Sequence, residues 1–251
     1  MSPEETSKKK VLVTGSSGFV GRLIIPYLRR SGFFIRGYGR SPDTVSDEFT
    51  EGAVEDTESL REALSGMDSV VHLAAFSDDG DFLRQILEPN IVGVYSLFEA
   101  LKGSKAQRVV LASSTQAADI DHLPGTVPSE LSCPSNYYGL SKIWLEKAGE
   151  MNARLQQLDV IAARLGWIIR SKSEFEEISK KKGWQKLYLS HLDAQRFFLS
   201  CLSAPVSGFS VVNAVSRPVH SNRYDMEKTR KVTGFQPDNA FPDGLIQQLV
   251  V

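Results

Sequence analysis

The chain has 251 residues, 41% of them apolar and 24% charged, with a formal net charge of −1. That length can bury one large core, and the near-neutral balance gives no electrostatic reason to expect nucleic acid or an acidic membrane surface as a partner. No apolar run approaches the ~18 residues that span a bilayer, and the polar start MSPEETSKKK lacks the apolar core of a signal peptide.

Cys133 and Cys201 are isolated, with no CxxC spacing, as in a reducing compartment. The expectation is a cytoplasmic protein whose residues 1–8 form a disordered leader. In chain order, strands and helices then alternate. Residues 11–13 are a short β-branched run, followed by a glycine turn and by apolar positions at helical spacing over 19–30. Residues 33–38 read as a second strand, and 57–64 as a short helix that Asp56 caps. Residues 69–74 (SVVHLA) are nearly continuous apolar, as in a parallel strand buried on both faces. A helix is predicted over about 82–102, bent or started late by Pro89. A strand at 108–112, a helix at about 135–155 and a strand at 160–164 follow.

This alternation predicts a Rossmann-like α/β fold, a doubly wound parallel sheet with helices on both faces. After Arg164 the pattern changes: residues 170–188 are charged and weakly periodic, and only shorter elements follow. With no Gly/Ser- or Pro-rich linker, the prediction is one domain. Its core covers about 9–166, and a small C-terminal substrate lobe over about 167–251 lies on the sheet edge.

Residues 11–21 read VLVTGSSGFVG, which places Gly15, Gly18 and Gly21 between a strand and a helix. Gly15 permits a tight turn, Gly18 lets the backbone approach a pyrophosphate, and Gly21 allows close helix–strand packing. The turn predicts a nicotinamide dinucleotide site; its alternative use is packing alone. The second strand ends in Gly39 and Arg40, where an acid would accept from the 2′-hydroxyl of NAD. An arginine suits the 2′-phosphate of NADP, so NADP is favoured over NAD. The alternative is that Arg40 stacks on adenine or faces solvent.

Tyr138 and Lys142 lie four residues apart, on one face of a predicted helix. A nearby ammonium stabilises the phenolate and draws a tyrosine pKa down from about 10. Such a tyrosine can take a proton from an alcohol as hydride leaves, or return it to a carbonyl. The preceding strand ends in the hydroxyl run Ser113-Ser114-Thr115, at the edge where open α/β sheets bind ligands.

Other polar residues read more plainly. His72 belongs in the core, and His122, His191 and His220 have no ligand spacing, so no metal is predicted. Asp78, Asp79 and Asp81 suit a solvated loop capping the next helix, Lys180–Lys182 a solvated run, and Asp193 the cap of a helix starting at Ala194.

TGxxGxxG, His72-Leu-Ala-Ala75, Asn90-Ile-Val-Gly93, Ser113-Ser114, Tyr138-xxx-Lys142 and Arg164-Leu-Gly166 occur in this order. Over about residues 9–166 the chain resembles the extended short-chain dehydrogenase/reductase superfamily, also called the NAD-dependent epimerase/dehydratase family. It is most similar to the compact uronate dehydrogenase group, as are the tail segments 188–193 and 208–216. The resemblance implies an NAD(P)-dependent oxidoreductase acting on a hydroxyl or hemiacetal carbon of a small sugar-like substrate.

By position, Tyr138 would be the general acid/base, and Lys142 would lower its pKa and hold the nicotinamide ribose. Ser114 would bind the reacting oxygen with Thr115 beside it, and Asn90 would order a water or backbone group near the lysine and the cofactor. Ser17, Phe19 and Val20 of the turn, with Val54, Leu73, Ala74 and Ala75, would line the cofactor. Ser77, Thr115 and Trp167 would touch substrate. The helices over 82–102 and 135–155 would form a homodimer interface.

Departures are Ala53, where relatives commonly carry an adenine-binding Asp; Thr115, where the uronate enzymes usually have Asn; and Trp167-Ile168 in place of small polar residues. No arginine is aligned to clamp a carboxylate, although Arg170 and Lys180–Lys182 lie nearby. Two other readings stay open. One is a nucleotide-sugar epimerase or dehydratase with tightly bound NAD, for which the 109 residues after Lys142 are short. The other is a non-catalytic cofactor sensor, which would not need Ser114, Tyr138 and Lys142 together.

Overall fold

A computed structural model describes residues 8–77, 79–121, 123–220 and 223–246; most of the expected leader, Asp78 and His122 fall outside them. The strands are β1 (Lys10–Thr14), β2 (Phe34–Gly39), β3 (Glu48–Glu51), β4 (Ser69–His72), β5 (Arg108–Ser114), β6 (Asp159–Leu165) and β7 (Phe209–Ala214). The helices are α1 (Phe19–Arg30), α2 (Thr57–Leu64), α3 (Gly93–Leu101), α4 (Tyr137–Gln156), α5 (Lys172–Lys180), α6 (His191–Ser203) and α7 (Met226–Thr233). All seven strands pair in parallel in the order β3-β2-β1-β4-β5-β6-β7, a Rossmann-like doubly wound sheet.

Successive side chains of a strand face opposite ways, and here both faces are apolar. Val11, Val13, Val71, Val110 and Ile161 enter one core beneath α1 and α6. Leu12, Val70, Val109, Leu111 and Val160 enter the other, beneath α2, α3 and α4. Residues 11–13 therefore show no polar alternation. α2, α4, α5, α6 and α7 begin where a side chain satisfies one of their first N–H groups. Asp56 accepts from the N–H groups of Glu58 and Ser59 at 3.0 and 3.1 Å, and Asn136 accepts from Gly139 at 2.7 Å.

The helix expected over 82–102 is two pieces. Residues Phe82–Val92 wind in wide π turns, and α3 resumes regular winding at Gly93. Pro89 has no N–H to give to a four-residue turn, and the wider winding accommodates its ring.

Three features differ from the sequence expectation. β3 is a short, half-exposed edge strand that the hydrophobic pattern does not mark. The stretch expected to lie on the sheet edge also supplies β7 to the sheet, and Phe197 and Phe198 of α6 to the first core. Asp193 does not cap its helix. Ser190 caps α6 instead, accepting from the Asp193 N–H at 3.0 Å. The fully buried Asp193 carboxylate accepts from the Ser216 hydroxyl at 2.6 Å and from the N–H groups of Asp238 and Asn239 at 3.0 and 3.2 Å, which pins the closing segment onto α6.

Among the described residues, no helix is long and apolar enough to cross a membrane.

Candidate active site

From β1 the chain crosses to β2 on one side, and from β4 it crosses to β5 on the other. At such a switch point the carboxyl ends of the strands leave a crevice. A cavity of about 640 Å³ opens there, with the glycine turn at one end and Ser114, Tyr138 and Lys142 at the other.

The glycine turn is shaped by what a Cβ would strike. Gly15 has φ of +71°, and a Cβ there would lie 2.8 Å from the Ala74 nitrogen. A Cβ on Gly21 would lie 2.3 Å from the Ser16 carbonyl oxygen. α1 starts with no side-chain cap and no acid in its first turn. Its first residues, with Ser17, Gly18, Phe19 and Val20, line the cavity, so the positive helix end opens onto it. This cradle fits a pyrophosphate. Gly39 and Arg40 at the end of β2, with Val54, Leu73, Ala74 and Ala75, line the same part of the cavity wall.

At the other end, α4 brings Tyr138 and Lys142 together, with the ammonium nitrogen 5.3 Å from the phenol ring centroid. Lys142 is 4% exposed and donates to the Ala112 carbonyl at 2.9 Å. Burial pushes its ammonium down to about 8, against the opposing pull of the Glu146 carboxylate. Ser114 ends β5 and faces the cavity, its Oγ accepting from the Gln116 N–H at 3.1 Å. Ser77 lines the cavity as well. His72 is a core residue, its Nδ1 2.9 Å from the Thr14 hydroxyl, and burial lowers its pKa to about 3.

Three expected site residues stand elsewhere. Asn90 sits behind the cavity wall. It accepts from the Phe76 N–H at 2.7 Å and donates to the Phe76 carbonyl at 3.1 Å and to Ser141 Oγ at 3.0 Å. Ser141 in turn donates to the Tyr138 carbonyl at 2.7 Å, so Asn90 ties the loop after β4 to the start of α4.

Thr115 follows Ser114 into a short 3-10 turn, is buried off the cavity wall and hydrogen-bonds Tyr224. Trp167 packs on Trp184, ring centroids 5.6 Å apart. The chain leaving β6 is extended, so Gly166, Ile168 and Arg170 face the cavity while Trp167 and Ile169 face an outer apolar cluster.

One residue escapes the sequence reading. Glu146, a turn beyond Lys142, forms a buried two-pronged pair with Arg164 at 2.7 Å and accepts from Ser113 Oγ at 2.6 Å. Its spacing of four from Lys142 was the available signal.

A family model described as NAD dependent epimerase/dehydratase family matches residues 11–171. The L-arabinose 1-dehydrogenase (NAD(P)(+)) of Haloferax volcanii is 27% identical over 252 residues, covering 92% of this chain and 97% of that one. The uronate dehydrogenase of Agrobacterium fabrum is 29% identical over 210 residues, covering 81% of this chain and 76% of that one. Among solved structures, uronate dehydrogenase from Agrobacterium tumefaciens superposes with a TM-score of 0.79 at 24% identity, over 93% of this chain and 85% of that one. That is a likeness of fold.

Proposed function

Since the chain belongs to the NAD-dependent epimerase/dehydratase family, we propose that it is an NADP-preferring dehydrogenase for a hydroxyl or hemiacetal carbon of a small sugar-like substrate. It is an NAD(P)-dependent oxidoreductase of the short-chain dehydrogenase/reductase superfamily. The observation that carries the reading is the joining of Ser114, Tyr138 and Lys142 to the glycine turn in one cavity. The nicotinamide, when bound, supplies the acceptor or donor of a hydride. Tyr138 Oη takes the substrate hydroxyl proton as the carbonyl forms and returns it in reduction. The Lys142 ammonium favours the phenolate, and the Ser114 hydroxyl holds the reacting oxygen. Asn90 acts indirectly, by fixing Phe76 and Ser141 against the start of α4. Arg40 beside Gly39 supports NADP.

We assign the substrate lobe to residues 167–190 and 215–246, within one domain. A homodimer is supported by an exposed apolar face: Leu140, Trp144, Met151 and Leu155 at helical spacing on α4, with Leu83 and Tyr95 on the neighbouring helices. Sedimentation at micromolar concentration tests it. The unpaired thiols of Cys133 and Cys201 support a cytoplasmic location.

The deciding experiment is a thermal-shift screen of NAD and NADP, each with aldoses, uronates and simple alcohols, followed by absorbance at 340 nm. The larger shift is expected with NADP, and turnover with a sugar. No shift with either dinucleotide overturns the reading. Cofactor retained through gel filtration, with no net change at 340 nm during turnover, supports an epimerase or dehydratase instead.

A further inference from the structure

β6 ends beside β5 in the register Ser114↔Leu165. The extended chain that starts beside Ser114 lines the cavity with Gly166, Ile168 and Arg170. Among these three only Arg170 is charged, and its charge is already matched. Arg170 Nε donates to Glu174 Oε1 at 2.8 Å, and Nη2 lies 2.6 Å from the same oxygen. The Arg170 backbone N–H donates to the other oxygen, Oε2, at 2.7 Å.

Glu174 is itself held by the local chain. Ser171 caps α5 by accepting from the Glu174 N–H at 3.2 Å, an S-x-x-E helix start. The carboxylate thus lies in the first turn, where the helix dipole favours a negative charge. Its side chain is only 17% exposed, against 42% for Arg170. No ligand is needed to form this pair.

A substrate carboxylate approaching Arg170 would meet a guanidinium already neutralised and a second carboxylate behind it. A hydroxyl group suffers no such repulsion and can accept from the remaining Nη1–H groups. The wall formed by the π-helical segment is balanced too, since Arg84 and Glu88 both line the cavity. Ser77, Gln85 and Gln116 add uncharged hydrogen-bonding groups.

We propose that Glu174 converts Arg170 into a neutral hydrogen-bonding site, and that the substrate is an uncharged aldose in its ring form rather than a sugar acid. This rests on the dehydrogenase reading above. In the reaction, the hemiacetal carbon loses a hydride to NADP⁺ and its hydroxyl loses a proton to Tyr138. The C–H and O–H bonds break, a C=O bond forms, and the product is a lactone with NADPH.

The test compares kcat/KM for matched aldoses and uronates in the wild type, Glu174→Gln and Arg170→Gln. Placing or removing one charge at this range is worth about tenfold in relative affinity. The wild type should favour the aldose by at least that factor. Glu174→Gln should narrow the ratio by raising uronate turnover, and Arg170→Gln, which leaves the α5 cap intact, should widen it.

A wild type that favours the uronate overturns this inference alone and leaves the dehydrogenase reading standing. So does a ratio moved by neither variant, or moved in the opposite directions. If Glu174→Gln does not fold, the direction of the Arg170→Gln change decides. No sugar oxidation by the wild type overturns the reading and this inference together.

Discussion

The two ends of the cavity are built by different means. At the dinucleotide end the backbone forms the site: Gly15, Gly18 and Gly21 bring the chain close because they lack a Cβ, and α1 presents bare N–H groups. At the reaction end side chains form it: Ser114, Tyr138 and Lys142 on regular elements, with Arg170 lining the cavity from the irregular chain beyond β6. A backbone site tolerates almost no substitution but reads only what all its ligands share. A side-chain site depends on orientation, so single changes can redirect it. On the reading proposed above, one chain thus pairs a fixed cofactor cradle with an adjustable substrate wall.

Tyr138→Phe tests the separation most sharply. The loss of the proton donor should lower kcat/KM by about 10²–10⁴-fold, while the dinucleotide still raises Tm. A variant that loses both effects would show the ends to be inseparable. Next in size is the support beneath the reaction end. Glu146→Ala leaves the buried Arg164 unpaired and should cost about 3–5 kcal/mol, read from urea unfolding.

The cradle has its own weak point at Gly21→Ala, whose methyl would press on the Ser16 carbonyl. Overpacking of this kind costs about 1–3 kcal/mol, and dinucleotide titration should show weakened binding beside it.

A subtler effect comes from pH. Lys142 carries its charge below about 8 and loses it above, so carbonyl reduction should decline as pH rises through that value. Glu146→Gln removes the carboxylate that holds the ammonium up and should move this decline to lower pH. The stability sign is separate. The folded pKa of about 8 lies below the ordinary 10.5, so the unfolded chain binds more protons between them and stability rises with pH across that window. The smallest effect is expected from Trp167→Phe, which preserves packing on Trp184 and should leave the sugar KM unmoved.

What the sequence disclosed follows the same division. The glycine turn is legible because its chemistry lies in the spacing of residues within one loop. Tyr138 and Lys142 are legible because one helix sets their distance. Thr115 and Trp167 each adjoin a wall residue and are turned from the cavity by different means: the strand ends at Ser114 and Thr115 enters a 3-10 turn, whereas Trp167 follows Gly166 in extended chain, where a shift of one position reverses the side-chain direction.

Asn90 is visible in the sequence, but its place behind the wall depends on how the loop at Phe76 folds back. β3 escapes notice because an edge strand such as Glu48–Glu51 buries too little to show a pattern. The Arg170–Glu174 pair needs the cap at Ser171, a detail of one helix turn within a charged stretch of weak periodicity.

α2, α4, α5, α6 and α7 each carry a side-chain cap, from Asp56, Asn136, Ser171, Ser190 and Asp225. α1 carries none. α1, which covers the first core together with α6, leaves its first N–H groups open to the cavity, and on the reading proposed above the phosphates of the dinucleotide would complete that helix start. At a hundred times Kd, a ligand bound only by the folded form adds about 2.7 kcal/mol. On that reading the resistance of the fold to unfolding would rise and fall with the concentration of the dinucleotide.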